Sequence, residues 1–248
     1  AGAGLAGTYA DRKAGFVTDA NFVAALDARL PSQAMVLQLP LQEFPEVGPV
    51  VGMSDYQQLK QSLHGDLRWS YGAMKGRPEN WVGPAQGLPT DALVKDAAAA
   101  GFQAVTVDRS GYADGGKEIE ARLAAETGVT RPLVSADGRL SAWDLRALAQ
   151  GLRRRETPAE LARRARTLVQ PPVARYEGEI YATETKGPDE WRWLGSDGTV
   201  EVENPYSSPM KAEVTARMVG YAPPYTMTIA TPSGTRTVTI ATKSATPL

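Results

Sequence analysis

Cysteine is absent from this chain of 248 residues, and histidine occurs once, at His64. The first absence excludes disulfides, cysteine-ligated zinc, iron–sulfur clusters and thiol catalysis. The second excludes a two-histidine metal site and any catalytic triad that does not use His64. An excess of one charge is also missing. The 27 Lys and Arg residues stand against 28 Asp and Glu, so no global field recruits nucleic acid or an anionic membrane, and nucleic acid is not an expected partner. No apolar run approaches the roughly 20 residues that span a bilayer. Neither GxxxxGK[ST] nor GxGxxG occurs, so nucleotide phosphate cradling is not expected. No metal and no cofactor are expected.

The opening AGAGLAG lacks the charged and long apolar regions of a signal peptide, and the chain does not begin with Met. The expectation is a fragment or processed product, with residues 1–17 as a disordered lead-in. With 42% hydrophobic and 22% charged residues, the composition is that of a globular protein large enough for one large domain or two ordinary ones.

What the chain does have is a dense aromatic and cationic stretch, SDYQQLKQSLHGDLRWSYGAMKGRPENW at 54–81. His64, Arg68, Trp69, Tyr71, Lys75, Arg77 and Trp81 all fall within it. Indole and phenol rings stack on the apolar face of a pyranose, and guanidinium groups bond hydroxyl or phosphate oxygens in pairs. The same residues are equally consistent with rings that plug a loop onto the core and cations that are solvated. His64 reads either as a structural hydrogen-bonding residue or as a general base near Asp66, Arg68 and Tyr71.

Around this stretch the chain alternates helical and strand patterns over 18–170, an α/β (α+β) domain. Thr18 or Asp19 is expected to cap a helix that Pro31 stops, followed by a buried strand at 34–39. A polar stretch punctuated by Pro40, Pro45, Gly48, Pro49 and Gly52 leads to a short helix over Asp55–Leu63, then a long ordered loop from His64 to Pro89. Thr90 is expected to cap the helix DALVKDAAAA, which Gly101 ends. FQAVTV at 102–107 reads as a buried strand with Asp108 at its end. Helices are expected at 117–127, 145–154 and 158–169, the last with a capping box at Thr157 and Glu160 and Pro158 at its first position. Pro171-Pro172 marks a boundary. From 173 to 248 the pattern has period two, with turns at Asp197-Gly198, Asn204-Pro205 and Ser233-Gly234, which predicts an antiparallel β-sandwich of jelly-roll type.

Carboxylates supply the other candidate chemistry. Asp108, followed by Arg109, Tyr112 and Asp114, lies where α/β folds place ligand-contacting groups. Asp108 and Glu43 can form a pair of the kind that cleaves glycosides, or Asp108 can be held in a salt bridge that ties down its loop. The candidate catalytic residues are therefore Asp108, Glu43 and His64, and the candidate binding residues are Arg68, Trp69, Tyr71, Lys75, Arg77, Tyr112 and Asp114. Trp191 and Trp193 share one face of a predicted strand, as a carbohydrate platform or as core. Arg153, Arg154, Arg155, Arg163, Arg164 and Arg166 read as the solvated face of two helices.

LQLP at 37–40, EFPE at 43–46, DYQQLKQSLHGDLRWSYGAMKGR at 55–77 and AGFQAVTVDRSGY at 100–112 together resemble a group of bacterial polytopic membrane proteins. These are similar to multi-spanning lipid-linked-sugar glycosyltransferases of the GT-C type, some relatives being labelled sulfatase-like or phosphoglycerol transferase. The resemblance covers about residues 19–145. It implies an extracytoplasmic C-terminal domain, tethered by its own transmembrane domain, that contacts a glycan or lipid-linked sugar in cell-envelope assembly. It also implies that the catalytic carboxylate lies outside this chain. A standalone carboxylate-based hydrolase of glycans or phosphodiesters and a non-catalytic carbohydrate-binding or scaffolding domain are the alternatives.

Overall fold

The computed structural model describes residues 9–45, 50–54, 56–75, 77, 80–186, 189–207, 209, 216–221, 224–241 and 246–247. Positions 1–8 of the expected lead-in, Gly48, Pro49, Asp55, Gly76, Pro78 and the 211–215 part of the strand KAEVTARMV lie outside the described residues. The chain divides into two compact units, Ala1–Val173 and Ala174–Leu248.

In the first unit, helix α1 (Tyr9–Asp27) precedes strand β1 (Met35–Leu39), a 3-10 helix (Gln57–Leu63) and the short strand β2 (Arg68–Trp69). Helices α2 (Val82–Gln86) and α3 (Thr90–Ala100) lead to strand β3 (Phe102–Asp108) and a 3-10 turn (Arg109–Gly111). Then come α4 (Lys117–Thr127), β4 (Leu133–Val134), β5 (Leu140–Asp144), α5 (Arg146–Arg155) and α6 (Pro158–Val169). The strands form one mixed sheet in the order β2-β1-β3-β5-β4. Strands β2, β1 and β3 are parallel, whereas β5 runs antiparallel to β3 and β4 antiparallel to β5.

Period-two alternation sorts the side chains of this sheet between two cores. Leu37, Leu39, Val105, Val107 and Trp143 face a layer made by α3 to α6, where Val94, Ala97, Leu123 and Leu152 are buried. Val36, Ala104, Leu140 and Ala142 face α1, which contributes Phe22, Val23 and Leu26. The unit is thus a three-layer α/β/α arrangement with strands buried on both faces, and each fully buried aliphatic side chain stabilises it by about 1.5–3 kcal/mol.

Local signals account for most of the elements. Thr157 accepts the backbone N–H of Glu160 while the Glu160 carboxylate accepts that of Thr157, a complete capping box with Pro158 in the first turn. Gly101 ends α3 in the left-handed region at φ 100°. Other expectations are corrected. Helix α1 starts at Tyr9 and carries Thr18 and Asp19 inside it, so neither is its cap, and positions 9–17 are helical. Arg12, Lys13 and Ala14 are good helix formers, and Asp11 in the first turn suits the helix dipole. The 64–89 stretch is not a continuous loop, since it holds β2 and α2. Thr90 is the first residue of α3, with Pro89 at the cap position and no side-chain cap bond.

The arginines of α5 and α6 are not uniformly solvated. Arg164 bonds Glu156 in a fork, with Nε–Oε2 at 2.7 Å, and also Asp96 on α3 at 3.0 Å. Burial pushes the Asp96 carboxyl up, whereas the Arg164 hydrogen bonds hold Glu156 below the usual carboxylate range.

The second unit is built of small antiparallel sheets. Strand β6 (Val173–Lys186) pairs with β7 (Asp189–Glu203), β8 (Arg217–Met218) with β11 (Thr246–Pro247), and β9 (Tyr225–Thr231) with β10 (Gly234–Ile240). The expected turn at Asp197-Gly198 does not form, because β7 runs straight through it. Gly178 takes φ 72° on β6, where a β-carbon would lie 3.2 Å from Gly198 Cα. Two glycines thus let the strands approach at that point instead of turning one of them back. Trp193 is exposed and meets Tyr221 edge-on at 6.2 Å between ring centroids, while Trp191 is half-buried.

Candidate functional site

Parallel pairing places the C-terminal ends of β2, β1 and β3 along one edge of the sheet, and most of the sequence-derived candidates lie there. The pairing continues past the strands. Ser70 N–H donates to Val36 O at 3.0 Å, Phe44 N–H to Ala73 O at 2.8 Å and Lys75 N–H to Phe44 O at 2.7 Å. The segments following β1 and β2 are therefore held side by side.

A buried amide organises this edge. Gln38 points from the α1 face of β1, where the alternation otherwise places Val36. Its Nε2 donates to Gln61 Oε1 at 2.7 Å and to Gln58 O at 2.8 Å, and its Oε1 accepts the Tyr71 N–H at 3.1 Å. The Gln38 N–H itself donates to Ser70 Oγ at 2.8 Å. Gln58 Nε2 donates to Pro40 O at 2.7 Å. A polar side chain this deeply buried is tolerable only when its bonding capacity is met. Here meeting it fixes the 3-10 helix and the 70–71 backbone to the strand.

Asp108 ends β3 only 3% exposed. Its Oδ1 accepts Ser110 Oγ at 2.5 Å and Ser110 N–H at 3.1 Å, and its Oδ2 accepts Gln57 Nε2 at 3.1 Å and an N–H of Arg139. The other terminal nitrogen of Arg139 donates to Asp19 of α1. Burial pushes the Asp19 carboxyl above its usual range although Arg139 pulls it down. This carboxylate–guanidinium–carboxylate chain joins α1, the end of β3 and the start of β5, so Asp108 is placed as an anchor with its oxygens engaged.

Glu43 lies elsewhere on the edge, accepting Nδ2 of Asn80. Among the described residues no hydrogen bond or ion pair links Glu43 to Asp108. His64 is half-buried with its ring edge-on to Phe16 of α1 at 4.4 Å, and its Nε2 has no hydrogen-bond partner among the described residues. The three candidate catalytic groups therefore have separate partners.

The candidate binding residues divide as well. Trp69 is half-buried against the α1-side core, and its indole N–H has no partner among the described residues. Arg68 is exposed and donates to Gln33 Oε1 at 2.6 Å. Lys75 and Arg77 are exposed. Tyr112 packs against the other core, where burial and then the nearby Asp114 charge push its phenol up. Asp114 accepts the N–H of Gly116 at 2.9 Å and of Glu118 at 2.8 Å at the start of α4, and these bonds, Glu118 first, hold its carboxyl low. Asp114 and Tyr112 thus serve α4 and the core. They are not gathered with Tyr71 and Lys75.

What the structure does gather is an aromatic trio. Phe44 meets Tyr56 at 6.0 Å and Tyr71 at 5.9 Å, both edge-to-face. Tyr56 is 37% exposed, Met74 lies exposed beside Phe44 across a parallel bridge, and Lys75 follows it. Phe44, Tyr56 and the glutamines are the residues that a reading centred on tryptophan and arginine passes over. Their available signals were Phe44 inside EFPE and Gln38 interrupting an otherwise apolar strand.

Among the described residues no group of three or more His, Asp or Glu could hold a metal ion, and no helix is long and apolar enough to cross a membrane. Compared with known protein families, curated proteins and solved structures, the chain matches none of them.

Proposed function

We propose that the first unit is a recognition module that contacts a glycan or lipid-linked sugar, within an extracytoplasmic domain of a membrane-bound glycosyltransferase-like protein. The observation that carries this reading is the Phe44–Tyr56–Tyr71 trio at the strand ends, partly exposed and adjoined by Lys75. Rings fixed by mutual packing offer a stacking face at little entropic cost, and a neighbouring ammonium bonds hydroxyl or phosphate oxygens. The engaged state of Asp108 and Glu43 favours recognition over bond cleavage. The chain by itself is expected to lack transferase activity, its catalytic carboxylate lying in a membrane domain. The coding region upstream of Ala1 tests that part, and fewer than several hydrophobic spans there would refute it.

Titration with cell-envelope glycan fragments, followed by the aromatic NMR signals of Tyr56 and Tyr71, tests the recognition. Shifts that disappear in Tyr56→Ala but persist in Tyr112→Phe are expected. Silence across a broad glycan panel would overturn it.

The second unit is read as part of an antiparallel β-sandwich of jelly-roll type. Met227, Ile229, Val238 and Ile240 are the more buried positions of the β9–β10 hairpin, as one sheet face covered by another requires. Methyl NOEs from Met227 and Ile229 to β6 or β7 test this, and their absence would count against it.

A further inference from the structure

We infer that the opposite end of the first unit's sheet carries a second site, a small pocket for an amphipathic anion with a compact apolar body and a phosphate or carboxylate head. The pocket is a hollow of about 290 Å³, close to the lower end of ligand-site volumes. Its origin is legible in the side chains. On the α1 face of the sheet, Ala104 and Ala142 stand where Val36 and Leu140 fill the neighbouring positions. Two alanines on adjacent strands leave a depression that Leu26 of α1, Leu30 just past its end, Val129 and Leu133 wall without filling.

Three arginines are among the residues that line the same hollow, Arg29, Arg131 and Arg146. Arg146 is committed, its Nε bonding both oxygens of Asp144 at 3.0 Å. Arg29, just past the end of α1, and Arg131, just before β4, have no ion pair or side-chain hydrogen bond among the described residues. Three half-buried arginines of this unit behave differently. Arg109, Arg139 and Arg164 each hold a carboxylate. Two unpaired guanidiniums beside an apolar hollow match a ligand whose charged head bonds both forks and whose body displaces water from the alanine floor. A purely polar anion leaves the floor empty, and a neutral hydrophobe leaves the cations unused. The class is therefore defined by having both parts. No residue of the aromatic trio lines this hollow, so this site does not rest on the recognition reading.

Octyl phosphate, octanol and inorganic phosphate serve as probes, titrated into the whole chain by calorimetry and by the methyl NMR signals of Leu26, Leu133 and Ala142. Octyl phosphate is expected to bind and to shift those methyls, with octanol and inorganic phosphate each binding at least about tenfold more weakly. Arg29→Ala and Arg131→Ala, both at exposed positions, are expected to weaken octyl phosphate by about tenfold each. Ala142→Leu, which fills the floor, is expected to abolish the methyl shifts at Leu26 and Leu133 in a chain that unfolds as cooperatively as the parent. The inference is overturned if octyl phosphate fails to bind, if inorganic phosphate binds as well, or if affinity survives in the Arg29→Ala/Arg131→Ala double variant.

Discussion

Arg139 and Asp19 stand 120 positions apart in the chain and are joined by a hydrogen-bonded ion pair on the inner side of α1. The same guanidinium holds Asp108, so a single side chain ties the first helix, the end of β3 and the start of β5. Both carboxylates are nearly inaccessible, and removing the cation between them leaves two buried charges without a counter-charge, although Ser110 and Gln57 still donate to Asp108.

Arg139→Met is therefore expected to destabilise the first unit by about 3–5 kcal/mol. Chemical denaturation followed by the near-ultraviolet signal of Trp143 measures it. Combining Arg139→Met with Asp19→Asn and Asp108→Asn should recover much of the loss, since no unpaired charge then remains inside. A triple variant no more stable than the single one would contradict this account.

Gln38→Leu keeps the volume of the side chain but removes the hub of the strand edge. It leaves Gln61 Oε1, Gln58 O and the Tyr71 N–H without their partner, each costing about 1–3 kcal/mol if no water reaches it. Amide exchange at Tyr71 should accelerate well beyond exchange at Val105, whose strand receives no bond from the Gln38 side chain. Equal acceleration at both positions would point to global loss alone.

Acid sensitivity follows from Asp114. Its folded carboxyl titrates below the ordinary value of 3.8 because backbone N–H groups at the start of α4 bond the charged form. A depressed folded value means that the unfolded chain takes up the proton first. The stabilisation is then present above 3.8 and lost as pH falls through the lower folded value. Asp114→Asn should lower stability at pH 6 and flatten its fall on acidification, read by urea unfolding at a series of pH values. Parallel pH profiles for the two proteins would exclude this role.

Gly111 lies where the turn after β3 packs against the segment after β1. A β-carbon there would lie 2.6 Å from Met53 Sδ and 2.7 Å from Pro40 Cγ and Cδ. Gly111→Ala should cost about 1–3 kcal/mol through overpacking, and it should disturb the Phe44 and Tyr56 ring signals through the displaced segment. An unchanged melting temperature would show that Met53 yields freely.

Period, caps and punctuation made much of the fold legible. The seven residues of β3 form a run apolar enough for a strand covered on both faces. Thr157, Pro158 and Glu160 wrote the start of α6 into four adjacent positions. The start of α1 departs from the pattern of its residues for a physical reason. Thr18 and Asp19 have the chemistry of a cap, but Asp19 uses its carboxylate on Arg139, and the helix continues through both. Asp197-Gly198 has the composition of a turn, yet glycine also serves where two strands must approach closely, and the partner Gly178 lies across the hairpin.

The site followed the same division. The sequence alone excluded a thiol and a two-histidine metal site within this chain, and it drew attention to the aromatic and cationic residues between Ser54 and Trp81. Only the tertiary structure decided which of them meet. Tyr71 joined Phe44 and Tyr56, Trp69 turned to the core, and Asp108 was taken by Arg139. Caps and periodicity act within a few residues along the chain, so they are written locally. The partner of a buried ring or charge is chosen by sheet order and helix packing, which bring together segments that local pattern does not relate.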